Sequence, residues 1–309
     1  MAPRSTGIGV RPRTWASEGP PNSGTTGTRV NEAQPNDLLM DTDSQVLFIN
    51  EGSLASPYWT PVTYNNPALF GVHSDFRDGV GKAVANTDAE AFLAGSGVRI
   101  FGQGIAENDS GAVVQAAGEG GQGLMRLTTT DEVAHVIAMG MAAGVMQPDQ
   151  HKILVVDVIL THVSGITLRS MFLGFVGVAA DALDPPVTGA TVTITLVQND
   201  VAGIMFDVGL SDSNGLMGCH NKGDANATQD LTGGRDTGVN IAAAATEQRL
   251  RVEIAANGDM RIFADKVEIF KTLIALDVDE ECSPVLALES TSTATKSMDV
   301  RRFDAWAYR

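Results

Sequence analysis

Carboxylates in close succession are the first chemistry to weigh, because two of them facing one bond can hydrolyse a glycoside. Glu107-Asn108-Asp109 comes nearest to the Glu-x-Asp-x-x-Glu spacing of sheet-borne glycosidase sites, but Ala112 stands where the last Glu is needed. The stretch is also Gly-rich rather than strand-like, so no acid–base pair is expected there. Gly118-Glu119-Gly120-Gly121-Gln122-Gly123 spells G-x-G-x-x-G, yet the strand-like LMRLTTT follows it. A phosphate-binding version of that motif needs a helix N-terminus at this place, so an inter-strand loop is the expectation. No HExxH, Walker loop or G-x-S-x-G elbow occurs. His73, His135, His151, His162 and His220 are scattered, with no metal-ligand spacing to another His or Cys. Cys219 and His220 are adjacent, which on a strand points them to opposite faces. Asp207, Asp212 and Asn214 offer oxygens that suit Ca²⁺, but Ser213-Asn214-Gly215 is equally a turn, and turns select these residues for backbone reasons. The turn reading is preferred. Trp306 and Tyr308, alternating with Ala305 and Ala307, have the spacing to stack on a sugar or to pack in a core or subunit interface; packing is preferred. No catalytic residue, metal ligand or cofactor is expected.

The elements that carry these residues read as strands. ATVTITLVQ (190–198) alternates, with Val192, Ile194 and Leu196 on one face. QRLRVEIAA (248–256) does the same, with Leu250, Val252 and Ile254 inward and Arg249, Arg251 and Glu253 outward. Asn257-Gly258 follows, the dipeptide suited to a two-residue type I′ turn; MRIFA (260–264) returns and Asp265-Lys266 turns again into Val267–Phe270. KILVVDVILTHV (152–163) is apolar on nearly both faces, as a central covered strand would be. EVAHVIAMGMA (132–142) is read as a strand. One short helix is expected at 88–94, where Thr87 and Glu90 form a capping box and Gly95 stands at the C-terminal position. Many short strands with turn signals between them give an all-β expectation: a two-sheet antiparallel jelly-roll sandwich.

Composition divides the chain near residue 66, giving an extended arm and connector (1–66) and a folded domain (67–309). Hydrophobic residues make up 43 % of the 309, enough for a sizeable core, and mean hydropathy is near zero. No run approaches the ~20 apolar residues of a membrane span. The N-terminus lacks the apolar core of a secretory signal, which places maturation in the cytoplasm and leaves Cys219 and Cys282 as free thiols. A net charge of −16 opposes nucleic-acid binding, which needs clustered Lys and Arg. The charge is uneven: residues 1–31 carry Arg4, Arg11, Arg13 and Arg29 against Glu18, a balance of +3, so the rest holds −19. A basic segment on an acidic body suits contact with an acidic protein surface, although a solvated tail with incidental arginines explains the same residues. Residues 1–37 are rich in Gly, Pro, Ser, Thr and Asn, a composition that is disordered or ordered by a partner. SLASPYWTPVTYNNPA then reads as an extended connector with sticky Tyr58, Trp59 and Tyr64.

These residues carry a resemblance. GTRVNEAQPNDLLMDTDSQVLFINEGSLASPYWTPV (27–62) resembles a segment that recurs in tailed-bacteriophage virion proteins, where a short strand pair leads into a sandwich. MFLGFVG (171–177), GIMFDVGLSDSNG (203–215), RLRVEIAANGDMRIFADKVEI (249–269) and MDVRRFDAWAYR (298–309) are similar to pieces of concanavalin-A-like (laminin-G-like) jelly rolls. The resemblance implies a capsid decoration (cement) protein on the virion surface. It would form a homotrimer and bind the major capsid protein through an arm carrying Arg4, Arg11, Arg13, Arg29, Tyr58 and Trp59. It equally admits a glycan-binding head or tail fibre, with surface glycans as ligand. Neither reading implies an enzyme.

Overall fold

The computed structural model describes residues 12–62, 69–74, 76, 90–92, 98–102, 112–116, 123–129, 135–141, 146–163, 166–167, 169–177, 186–223 and 227–308. The chain divides into two compact units, Met1–Ala68 and Leu69–Arg309.

In the N-terminal unit, where composition suggested an extended arm, four short strands form one sheet in the order β1 (Thr14–Ser17), β2 (Leu38–Asp41), β3 (Leu47–Asn50) and β4 (Trp59–Pro61). The first pair is parallel and the others antiparallel. Apolar content alone under-rates this segment because its Gly- and Pro-rich loops are organised by buried polar side chains. Asn50 donates from Nδ2 to the carbonyls of Ala33 and Gln34 (both 3.1 Å), and its Oδ1 accepts from the amides of Gly52 and Tyr58 (both 2.9 Å). Asp41 accepts from the amides of Gly19 (2.8 Å) and Asp43 (3.0 Å) and from the Ser44 hydroxyl (2.6 Å). Around these ties Leu39, Val46, Phe48, Tyr58 and Trp59 are buried.

The second unit is a sandwich of two antiparallel sheets. Its strands are β5 (Leu69–Ser74), β6 (Glu90–Phe92), β7 (Arg99–Gly102), β8 (Ala112–Ala116), β9 (Leu124–Thr128), β10 (His135–Gly140), β11 (Ile153–His162) and β12 (Arg169–Val176). Then come β13 (Val187–Ala190), β14 (Thr193–Leu196), β15 (Ala202–Asp207), β16 (Gly215–His220), β17 (Ala227–Asp230), β18 (Asp236–Asn240), β19 (Glu247–Ala255) and β20 (Met260–Ala264). The last are β21 (Val267–Thr272), β22 (Ser283–Ser290) and β23 (Ser297–Tyr308). One sheet runs β18-β16-β15-β12-β22-β10-β7-β6. The other runs β21-β20-β19-β11-β23-β9-β8, with β5 also paired to β23. Between the sheets lies one apolar core, with Leu154, Val156 and Val158 of β11 facing Leu173, Phe206 and Leu286 across it. A small sheet, β13-β14-β17, covers part of the other face of the first sheet, burying Phe172, Met205, Ile194 and Leu196. The architecture is the all-β two-sheet jelly roll that the strand patterns predict, and β11 takes the central position expected of KILVVDVILTHV.

Three local expectations are corrected. Glu90–Phe92, inside the expected helix, is an edge strand paired with β7; cross-strand pairing overrides the capping signature there, and Thr87 and Gly95 lie outside the described residues. ATVTITLVQ is not one strand, because Thr191 adopts a left-handed φ of 55° and turns β13 into β14. Val192 at that turn is 40 % exposed while Ile194 and Leu196 stay buried. The turn at Asn257-Gly258 has three residues rather than two: the Gly258 amide donates to Ala255 O (2.9 Å), and Gly258 alone takes a positive φ, 81°. That is a turn followed by a glycine bulge. The two-residue turn with both φ angles positive occurs one hairpin later, at Asp265 (48°) and Lys266 (71°).

Candidate functional site

Charged side chains concentrate on the face of β19, β11 and β23 that points away from the core. Period-two alternation puts Leu154, Val156 and Val158 inward and Val155, Asp157 and Ile159 outward. Register then fixes the neighbours: Arg251 and Asp304 lie directly opposite Asp157, Arg249 and Arg302 opposite Ile159, and Glu253 and Trp306 opposite Val155. On the next strand His73 is opposite Asp304. The Arg249 guanidinium grips Asp157 with both prongs, Nε to Oδ1 at 2.8 Å and Nη2 to Oδ2 at 2.6 Å. Arg251 pairs with Glu253 at 3.0 Å and lies 5.0 Å from the centre of the Trp306 ring. Asp304 is held by Arg302 and by His73 Nδ1. Asp157 and Asp304 are fully buried, and Arg249, Arg251 and Glu253 nearly so.

Carboxylates on adjacent strands of one sheet face are the raw material for glycoside cleavage, but such a pair needs one member kept protonated near neutral pH. Burial works to raise the pKa of Asp157. The Arg249 charge and hydrogen bonds, with the charges of Arg251 and Arg302, overcome it and hold the carboxyl below its usual value. Asp157 therefore stays ionised. Three arginines balance three carboxylates in this row, which makes it a neutral ionic lattice locking three strands in register.

A second row crosses the other sheet, on the face the small sheet covers. Ser170 of β12 is opposite Asp207 of β15 and Glu289 of β22. Its hydroxyl donates to Glu289 Oε2 at 2.5 Å, and Asp207 accepts from the amides of Gly189 and Gly209, both at 2.7 Å. Burial pushes Glu289 up to about 6, against the Ser170 hydrogen bond and with help from the Asp207 charge. Burial likewise raises Asp207, against those two amide bonds. Asp207 thus anchors β13 and the turn after β15 through its two carboxylate oxygens. Among the described residues no three His, Cys, Asp or Glu side chains gather as a metal site.

Of the sequence-predicted contact residues, Arg13, Arg29, Tyr58 and Trp59 lie in the described part of the N-terminal unit. Arg4 and Arg11 lie outside the described residues. Arg13 is exposed at the start of the N-terminal sheet, with its amide donating to Asp37 Oδ1 at 2.7 Å. Burial would raise Asp37, but amide bonds from Arg13 and Gln34, with the Trp15 ring N–H and the Arg13 charge, keep it below its ordinary pKa. Arg29 is engaged locally, pairing with Glu32 at 3.0 Å and lying 4.9 Å from the Trp15 ring centre. Tyr58 and Trp59, read as sticky contacts, are buried at 0 % and 1 % exposure. Trp59 donates to Thr28 O at 3.1 Å and its amide to the Ser23 hydroxyl at 3.0 Å. Tyr64 and the Glu107-Asn108-Asp109 cluster fall outside the described residues, as does most of the Gly118–Gly123 loop. Trp306 and Tyr308 are buried, and Cys219 and Cys282 are free and buried.

No protein-family profile matches the chain, and no curated protein does. Solved structures do. The Emp47p carbohydrate recognition domain is similar at TM-score 0.48 and 11 % identity, over 77 % of this chain and 98 % of that one. A protein of unknown function, SO2946 from Shewanella oneidensis MR-1, is similar at TM-score 0.42 and 10 % identity, over 78 % and 87 %. Arcelin-5, a lectin-like defence protein from Phaseolus vulgaris, is similar at 0.41 and 9 %, over 72 % and 100 %.

Proposed function

We propose that this chain is a non-catalytic structural protein of a tailed-phage particle, a decoration protein of the head that attaches to the major capsid protein through its N-terminal residues and sits there as a homotrimer. The resemblance of residues 27–62 to phage virion segments motivates the setting. The observation that carries the attachment role is the N-terminal unit itself. It is a sheet of its own, and among the described residues its strand β1 pairs only with β2. Among the described residues its other edge has no partner strand, with the Ala16 carbonyl there reached by Arg29 Nη2 at 3.5 Å, and the chain enters β1 from a segment that contains Arg4, Arg11 and Arg13. A free edge flanked by arginines supports pairing with an acidic partner strand. The aromatic and carboxylate side chains of the unit serve its own packing, which favours a binding module over an active centre.

The test is sedimentation of undecorated heads with the full chain and with a triple Arg4→Ala, Arg11→Ala, Arg13→Ala variant, across a salt series. Binding that weakens with salt in the wild type and is reduced in the variant supports the reading, since screening acts on exposed charge pairs. Equal occupancy by both proteins at all salt concentrations overturns it. A glycan-binding fibre remains the competing role for a lectin-like fold. Stacking on sugars would require exposed aromatics, and Tyr58, Trp59, Trp306 and Tyr308 are all buried. Quantified bands from purified particles separate the two roles, hundreds of copies for a decoration protein against far fewer for a fibre.

A further inference from the structure

One end of the sandwich is closed by a polar layer in place of apolar side chains. On the inward face, β11 ends in His162, β12 begins with Arg169, β22 ends in Ser290 and β9 leads into Thr129, all buried to within 2 %. Arg169 is opposite Ser290 in the register. One Arg169 Nη1 reaches both Ser297 O (2.9 Å) and His162 Nδ1 (3.2 Å). Because Nδ1 accepts there, the imidazole proton sits on Nε2. That Nε2 is buried without a partner, and the imidazole as a whole packs at right angles to the Phe206 ring, centroids 5.5 Å apart.

The loop that follows β22 supplies more donors. Ser290 Oγ donates to Ser292 O (2.7 Å) and Ala294 O (2.9 Å), which folds residues 291–296 over this end. The hydroxyls of Thr291 and Ser292 are buried there with no hydrogen-bond partner. Lys296 is 8 % exposed; its backbone is tied to Thr129 in both directions, at 2.9 and 3.0 Å. Its ammonium lies at the solvent side of this layer and has no acceptor among the described residues.

We infer that this end of the sandwich, lined by His162, Arg169, Thr291, Ser292 and Lys296, is a binding site for a small oxyanion, a phosphate or a carboxylate. The residues left without partners can all donate, and two flanking groups are cations. An oxyanion offers several acceptor oxygens at once and neutralises the pair, whereas a cation would be repelled by Arg169 and Lys296 and could draw only on the two hydroxyl oxygens. Buried donors left unpaired are costly, so a ligand that satisfies several of them gains affinity in return. Electrostatics agree with the geometry. Burial, then the Arg169 charge, lowers His162 to about 3, so the ring stays neutral. Burial takes Arg169 down to about 10, and burial plus the Arg169 charge lowers Lys296. A bound anion reverses that crowding of positive charge.

The experiment is calorimetric titration of the full chain with sodium phosphate and, separately, sodium acetate, with ionic strength held constant by sodium chloride. The expected result is saturable binding of one anion per chain, with the preferred salt telling phosphate from carboxylate. Lys296→Met and the double variant Thr291→Val, Ser292→Ala should each weaken binding at least tenfold, with melting temperatures in chloride close to wild type. If Lys296→Met does not fold, Ser292→Ala alone serves, since its side chain closes no described contact. Absence of saturable heat with both salts, or binding unchanged in the variants, overturns the site and leaves ordinary buried water as the partner of His162.

Discussion

Replacing Gly258 with valine should destabilise the sandwich markedly. The residue follows the turn after β19 with φ at 81°, in the left-handed region that costs a side-chain-bearing residue about 1–2 kcal/mol and a β-branched one more. Space is short as well. A Cβ built there would lie 2.6 Å from Leu276 O and 3.3 Å from Val278 Cγ1. The segment it strikes is backbone, and it is pinned to this hairpin by Ala275 N–H to Gly258 O (2.7 Å) and Ile274 N–H to Asp259 Oδ1 (3.0 Å). Relieving the clash means giving up one or both bonds, at about 1 kcal/mol each. Strain and lost bonds together come to about 3–4 kcal/mol, worth roughly 6–15 °C in Tm for a unit of this size. Gly233 has open space and no positive φ, so Gly233→Ala is the matched control and should move the midpoint by less than about 0.5 kcal/mol. Urea melts of the three proteins measure both values. A Gly258→Val protein within 1 kcal/mol of wild type would refute the account of this turn.

The neighbouring turn should respond in the opposite sense: Lys266 holds φ at 71° without being glycine, so Lys266→Gly should stabilise by roughly 0.5–1 kcal/mol, read as a higher midpoint in the same melts. Asp157→Ala leaves Arg249 buried without its bidentate partner and should cost about 3–5 kcal/mol. In the wild type the folded pKa of Asp157 is lowered, so its contribution is complete above the unfolded value near 4 and is lost as pH falls through the folded one. Glu289 has the reverse sign: raised from 4.5 to about 6, it contributes stability below pH 4.5 that is lost as pH rises through 6. That is about 2 kcal/mol across the window, and a stability-versus-pH curve for Glu289→Gln should lack the slope. Burial pushes the Cys219 thiol up to about 12 and raises Cys282 too; a thiol reagent at pH 8 should label neither cysteine in native protein and both in denaturant.

The sequence by itself determined the fold class and the position of the core. Strict alternation in QRLRVEIAA and a doubly apolar KILVVDVILTHV allow little besides two strands, the second of them central, because period-two patterns survive only where one or both faces are buried. Composition also shifts where the Pro- and Gly-rich segment ends, which is why a division of the chain near residue 66 could be expected from sequence. What it could not give was anything set by partners distant in the chain. Arg249, Arg251 and Glu253 read as a solvated strand face, yet register places them beside Asp157, Arg302 and Asp304, and all but Arg302 are nearly or fully buried. His162, Arg169 and Lys296 are separated by up to 134 positions and become one polar layer only when β11, β12 and β23 are stacked. The N-terminal unit shows the same limit at short range. Its composition reads as a segment without a core, and only the folded chain reveals that Leu39, Val46, Phe48, Tyr58 and Trp59 are buried around Asp37, Asp41 and Asn50, whose side chains accept from backbone amides that apolar residues could not satisfy.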